Sequence, residues 1–125
     1  MINLLYIFRF LECGHFCIRY ILRKEKVKKK VEYHKQMMSM GLVKRVLSEY
    51  FSFVECYVAK SLEDLKKCGR FITMINLRKN KLHYVVIEKV ENDYVYYYDP
   101  IFIFLRKLKK DKFNKKWCKY CCIYA

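Results

Sequence analysis

The spacing of apolar residues changes period part-way along this chain, and that change limits the fold more than any other feature. Up to about Gly69 the period is mainly helical. Past Glu12, apolar side chains fall at Cys13, Phe16, Cys17, Tyr20 and Ile21, a stripe on one helix face. Leu42, Val43, Val46, Leu47, Tyr50 and Phe51 predict a second amphipathic helix after Gly41. Phe53 to Val58 reads as a short strand, and Ser61-Leu62-Glu63-Asp64 has the form of a capping box opening a short helix that Gly69 closes. Beyond Gly69 the pattern is extended. Phe71 to Leu77, Leu82 to Val90 and Tyr94 to Tyr98 are β-branched and aromatic strands, with turns at Arg78-Lys79-Asn80 and Glu91-Asn92-Asp93. Asp99-Pro100 stops the third strand, because Pro cannot donate to a ladder. Asp111 can cap a last helical turn through Trp117, ahead of a short apolar end. Helices first and an antiparallel sheet second describe an α+β domain.

With 125 residues there is room for one core, so residues 1–125 are expected to form a single domain. The 54% hydrophobic content excludes a disordered tail. Lys and Arg number 27 against 12 Asp and Glu, a formal charge of +15. This favours an anionic partner without choosing among nucleic acid, membrane and acidic peptide. Lys, Ile, Tyr and Phe are plentiful and Gly and Pro scarce, a bias that coding DNA alone can produce, so part of the charge need have no function. The apolar start is interrupted by Arg9, Glu12, His15 and Arg19, far short of the ~20 residues that span a bilayer. No basic leader precedes it. The expectation is a cytoplasmic chain, or one at the cytoplasmic face of the membrane, whose seven Cys stay reduced.

Glu12-Cys13-Gly14 stands at the start of the first helix. A helix N-terminus stabilises thiolate, so Cys13 is a candidate nucleophile if a histidine reaches it. The ordinary alternative is a small buried hydrophobe. His83 opens a strand and Asp99 closes the next, sixteen residues on. In a hairpin those two share a face only if the turn has an odd residue count or the ladder a bulge, such as at Glu91-Asn92-Asp93. Asp99 would then lie diagonal to His83 and could hold its imidazole in one tautomer. Otherwise they are an ordinary strand residue and an ordinary turn acid, and taken singly each ordinary reading is the better one.

Taken together, the motifs resemble a known family. Glu12-Cys13-Gly14-His15-Phe16-Cys17-Ile18 is similar to its Asp/Glu-Cys-Gly-x-x-Cys-Leu signature. His83-Tyr84-Val85-Val86-Ile87 resembles its His-Phe-Val-Val-Leu strand, and Asp99-Pro100 its Asp-Pro. Leu62-Glu63-Asp64-Leu65 resembles the short helix before its strands, and Phe113-x-x-x-Trp117 its C-terminal Phe-x-x-x-Trp. The family is the bacteriocin-processing, double-glycine leader peptidases, papain-like cysteine peptidases often fused to the N-terminus of peptide-exporting ABC transporters. The likeness runs from Leu11 to Trp117.

The resemblance implies a papain-like fold, with Cys13 as nucleophile, His83 as general base and Asp99 orienting the histidine. It implies cleavage through a thioester after a Gly-Gly pair, since only glycines lack the Cβ that would meet narrow walls. The implied partner is a precursor peptide with an acidic amphipathic leader, and a separate ABC transporter at the membrane; neither cofactor nor metal is implied. One position departs. Where the family has an oxyanion-donating Gln six residues before the nucleophile, this chain has Ile7, and its single Gln is Gln36. Losing such a donor costs roughly a hundred- to a thousandfold in rate. Arg9 is the nearest substitute, and a donor-bearing strand could be truncated at an N-terminus this close to the motif. The first alternative is therefore a catalytically impaired module that binds leaders.

The remaining motifs carry less. Cys118-x-x-Cys121 with Cys122, joined by Cys13 and Cys17, could supply zinc thiolates, but packing is the simpler account of Cys17 and no zinc is expected. His15 lies on another face of the helix from Cys13 and is expected to be exposed, and His34 solvated among charges. Tyr94, Tyr96, Tyr97 and Tyr98 beside basic residues motivate a second alternative, a basic nucleic-acid-binding protein, although such strands more often pack in a sheet. No Gly-x-x-x-x-Gly-Lys-Ser/Thr loop occurs, so no ATPase is expected here.

Overall fold

The computed structural model describes residues 12–28, 38–78 and 81–125. Ile7, Arg9, His34 and Gln36 lie outside the described residues.

Helix α1 (Cys13–Lys24) follows the predicted stripe, with Cys17, Ile18, Ile21 and Leu22 buried. It ends without a glycine: Lys26 takes a left-handed φ of 58°, and Val27 N–H donates back to the Leu22 carbonyl at 2.8 Å. Helix α2 (Met40–Leu47) starts earlier than Gly41. Ser39 caps it, its hydroxyl accepting from Leu42 N–H at 3.1 Å, and Tyr50 and Phe51 fall past its end. The capping box does not form. Leu62 stands at the N-cap of a 3-10 turn (Glu63–Leu65) with no side-chain cap, and Glu63 pairs instead with Lys110 and Lys66.

Six strands are described, all antiparallel: β1 (Val54–Val58), β2 (Phe71–Arg78), β3 (Lys81–Glu91), β4 (Tyr94–Asp99), β5 (Phe104–Lys109) and β6 (Trp117–Tyr124), in the order β1-β6-β2-β3-β4-β5. A five-residue helix α3 (Lys110–Asn114) links β5 to β6. The architecture is the expected α+β one, with two departures. Lys110–Asn114 is all that is helical of the predicted Asp111–Trp117 turn, and the "apolar end" after it is β6, which enters the sheet between β1 and β2. β5 is a second strand for which the apolar spacing gives no expectation.

The sheet is buried on both faces. One face packs under α1 and α2, through Ile72, Tyr84, Val86, Tyr98 and Cys122. The other gathers Leu65, Phe71, Ile75, Val85, Ile87, Tyr97, Phe113 and Trp117. That double cover explains why β3 reads as the unbroken apolar run Tyr84-Val85-Val86-Ile87. On the second face Thr73 ties the layer together, donating to the Tyr120 carbonyl at 2.8 Å and accepting from the Trp117 indole at 2.7 Å.

Candidate active site

Cys13 is the first residue of α1, at the end of the helix that meets β3. Its sulfur accepts a hydrogen bond from Tyr84 N–H at 3.3 Å. Close contact at this point requires Gly14. A Cβ there would stand 3.2 Å from the Met38 Cβ and 3.2 Å from the Tyr84 ring, tighter than ordinary packing. The Tyr84 hydroxyl in turn donates to the Met38 carbonyl at 2.6 Å. Helix start, strand and the Met38 segment are therefore locked around the sulfur.

His83 and Asp99 come from β3 and β4, and both are buried. The ring Nε2 lies 3.2 Å from the Asp99 Oδ2. The other carboxylate oxygen accepts from Ile101 N–H at 3.0 Å, and the Asp99 carbonyl accepts from Ile103 N–H at 2.9 Å, which fixes the acid at the root of the following turn. The shared face has a specific cause. Glu91 pairs with Tyr94, leaving Asn92-Asp93 as an even, two-residue turn, with Asn92 at a φ of 55°. A straight ladder would have set His83 and Asp99 on opposite faces. The bulge is at Glu88 instead: Ile87 pairs with Tyr97 and Lys89 with Tyr96. One extra residue on β3 restores the parity and sets Asp99 diagonal to His83. Glu88 is held by Arg70, at 2.9 Å, and by the Tyr20 hydroxyl.

The sulfur thus sits against the backbone of the residue following His83. From Tyr84 N back to the His83 Cα is about 2.4 Å, so the sulfur is within about 6 Å of that Cα. Chemically, a ring whose Nε2–H is donated to a carboxylate keeps Nδ1 as its basic nitrogen.

Electrostatics at the sulfur differ from what its helix position suggests. Burial pushes the Cys13 thiol up to about 11. The N–H groups of Tyr84 and Gly14 pull it down, and the nearby Asp99 charge pushes it up again. Desolvation outweighs the amides, which favours the neutral thiol. His15, expected at the surface, is buried together with Glu12, Cys13 and Gly14. The start of α1 from Glu12 to His15 is enclosed, which helix-face arithmetic alone does not reveal. Two contributors carry no sequence signal of their own: the Tyr84 amide on the sulfur and the Glu88 bulge. Cys121 and Cys122 point to opposite sheet faces, and among the described residues no three His, Cys, Asp or Glu come together as metal ligands.

Residues 8–125 match the peptidase C39 family. No curated protein matches. Among solved structures, a double glycine motif protease from an AMS/PCAT transporter, in complex with the leader peptide, superposes with a TM-score of 0.68 at 22% identity, over 91% of this chain and 84% of that one. The peptidase domain of Streptococcus ComA, a bi-functional ABC transporter involved in a quorum sensing pathway, gives 0.71 at 16% identity, over 92% and 91%. The peptidase domain of Streptococcus mutans ComA gives 0.67 at 18%, over 87% and 90%. At these identities the likeness shows the papain-like fold.

Proposed function

The chain belongs to the peptidase C39 family, and on that premise we propose that it is a cysteine endopeptidase cutting leader peptides after a Gly-Gly pair. The observation that carries the reading is the buried His83–Asp99 pair at 3.2 Å beside the strand amide that holds the Cys13 sulfur. In this reading His83 Nδ1 takes the thiol proton as the sulfur attacks the scissile carbonyl. The imidazolium then gives that proton to the leaving amine, which leaves an acyl thioester on Cys13. Water, deprotonated by the same nitrogen, hydrolyses the thioester and restores the thiol. Asp99 keeps Nε2 protonated and stabilises the imidazolium while it exists. The charge of +15 suits an acidic amphipathic leader as substrate, and the relative solved with its leader peptide, a protease from an AMS/PCAT transporter, supports a transporter-associated setting.

A peptide bearing an acidic leader and Gly-Gly tests this directly. Cleavage is expected on the carboxyl side of the second glycine, and Cys13→Ala should abolish it. A second reading, a leader-binding module without turnover, is favoured by Ile7 at the family's Gln position and by the high proton affinity of the buried thiol. It predicts binding of the leader that Cys13→Ala leaves unchanged. Ile7→Gln separates the two readings: on the first it raises the cleavage rate, roughly a hundredfold if the lost oxyanion donor is recovered in full.

A further inference from the structure

The turn between β4 and β5 and the first two residues of β5 expose Phe102, Ile103, Phe104 and Leu105 at 39%, 55%, 56% and 53%, four large apolar residues in succession facing water. Scattered exposed apolar residues are ordinary; a contiguous cluster at a hairpin end is not. Ile103 holds a left-handed φ of 61°, where a β-branched residue is strained and Asn or Gly would relax the turn. The sequence keeps an apolar side chain there regardless.

Directly behind the tip the chain turns basic. Residues 101–110 read Ile-Phe-Ile-Phe-Leu-Arg-Lys-Leu-Lys-Lys, an apolar half followed by a cationic half. Between Tyr94 and Lys110 the one acid is Asp99, and it is buried beneath His83. The Arg106 guanidinium lies 5.0 Å over the Phe102 ring, and the Lys107 ammonium 4.1 Å over Tyr94 and 5.7 Å over Tyr96. Lys89, paired with Glu91, adds a cation 4.8 Å over Tyr96, and Lys116 stands close enough to Arg106 for that charge to lower its proton affinity further, below what burial alone does. The hairpin is thus graded along its length: apolar at the tip, then Tyr rings carrying cations.

We propose that this hairpin tip inserts into the headgroup region of an anionic lipid bilayer, with Phe102, Ile103, Phe104 and Leu105 entering the acyl boundary and Arg106, Lys107 and Lys109 meeting the phosphates. Amphipathic Tyr and snorkelling Lys are the side chains such an interface favours, and cations near an anionic leaflet add to apolar insertion. A hairpin end with exposed apolar side chains on both faces of its strand suits a fluid surface, which can cover both faces at once. Since Asp99 is the root of this turn, docking would hold the His83–Asp99 end of the sheet against the membrane.

Co-sedimentation with vesicles tests this, using phosphatidylcholine alone and phosphatidylcholine mixed with phosphatidylglycerol. The protein is expected to pellet with the mixed vesicles, and less so as salt rises. The double variant Phe102→Ser, Phe104→Ser, at exposed positions, should keep its melting temperature and lose at least about tenfold in partitioning. Lys107→Ser with Lys109→Ser should weaken binding to the mixed vesicles only. Pelleting of the tip variant equal to the parent overturns the proposal, because charge alone would then account for it. So does failure of the parent to pellet with anionic vesicles. A third overturning result is a raised KM for leader peptide in the tip variant with vesicle binding intact, which would make the tip a peptide-docking wall.

Discussion

Cys13 should alkylate with a pH midpoint near its own high proton affinity rather than below neutrality. Burial holds the thiol at about 11 against a reference of 9.0. At pH 7 the thiolate fraction is then about a hundredfold lower than that of an ordinary cysteine, since each unit is tenfold. Limited access lowers the rate at every pH alike, so the midpoint, not the absolute rate, is the readout. The assay is iodoacetamide labelling across pH 6 to 11, quantified by mass spectrometry of the peptide that carries Cys13 and Cys17, with fragmentation to separate the two. The rate at Cys13 should climb without a plateau until pH approaches 11. A plateau established below pH 7 would refute the reasoning, for it would mean that an imidazolium at His83 stabilises the thiolate at rest. His83→Ala then serves as a control: it should leave a neutral-thiol profile unchanged and would abolish an ion-pair plateau.

Three further outcomes follow from the same geometry. Stability should fall as pH rises from about 9 to 11, because the unfolded state releases the Cys13 proton first while the folded state retains it; Cys13 alone contributes up to about 2.7 kcal/mol to that fall, measured by urea melts at each pH with Cys13→Ala for subtraction. Gly14→Ala should cost roughly 1–2 kcal/mol, since the new Cβ meets Met38 and Tyr84 at 3.2 Å and the gain in helix propensity offsets only part of the strain; an unchanged melting temperature would mean that those neighbours yield freely. Thr73→Val keeps the shape but leaves the Trp117 indole N–H and the Tyr120 carbonyl unpaired, a loss of roughly 2–4 kcal/mol that thermal denaturation should detect.

The period change was a sound guide where a segment packs on one partner. The stripe from Cys13 to Ile21 made α1, and the runs at Phe71, Leu82 and Tyr94 made β2, β3 and β4, within a residue or two of the expected bounds. β6 was illegible for a physical reason. Its partners β1 and β2 lie tens of residues earlier, its side chains alternate poorly around Lys119 at a φ of 67°, and its cysteines read as neither strand nor helix. The Ser61 box failed because Glu63 had a stronger partner in Lys110, a residue distant in sequence. At the candidate site, the sixteen-residue spacing correctly demanded an irregularity between His83 and Asp99. The expected place, Glu91-Asn92-Asp93, is wrong: the bulge lies at Glu88, because what anchors it is a tertiary network of Tyr20, Arg70 and Glu88.

The buried site sets two requirements against each other. Excluding water sharpens the His83–Asp99 interaction and suits a reaction that passes through charged intermediates. The same exclusion raises the thiol, and the Asp99 charge raises it further, so on the proposed roles the acid that steadies the base also disfavours the nucleophile while the ring is neutral. On the proposed mechanism both effects ease once the proton moves to Nδ1, because the imidazolium charge then offsets that of each anion. The sulfur is already served by the Tyr84 and Gly14 amides, which favour the thiolate without requiring any rearrangement. Those amides are committed to the sulfur, however, and a tetrahedral oxyanion needs a donor of its own. In that mechanism proton transfer rests on Cys13, His83, the Tyr84 amide and Asp99, while position 7 is where the family resemblance puts the oxyanion donor. On the proposed mechanism the first step is provided for and the second is limited, so Cys13→Ala removes cleavage while Ile7→Gln is the change that raises it.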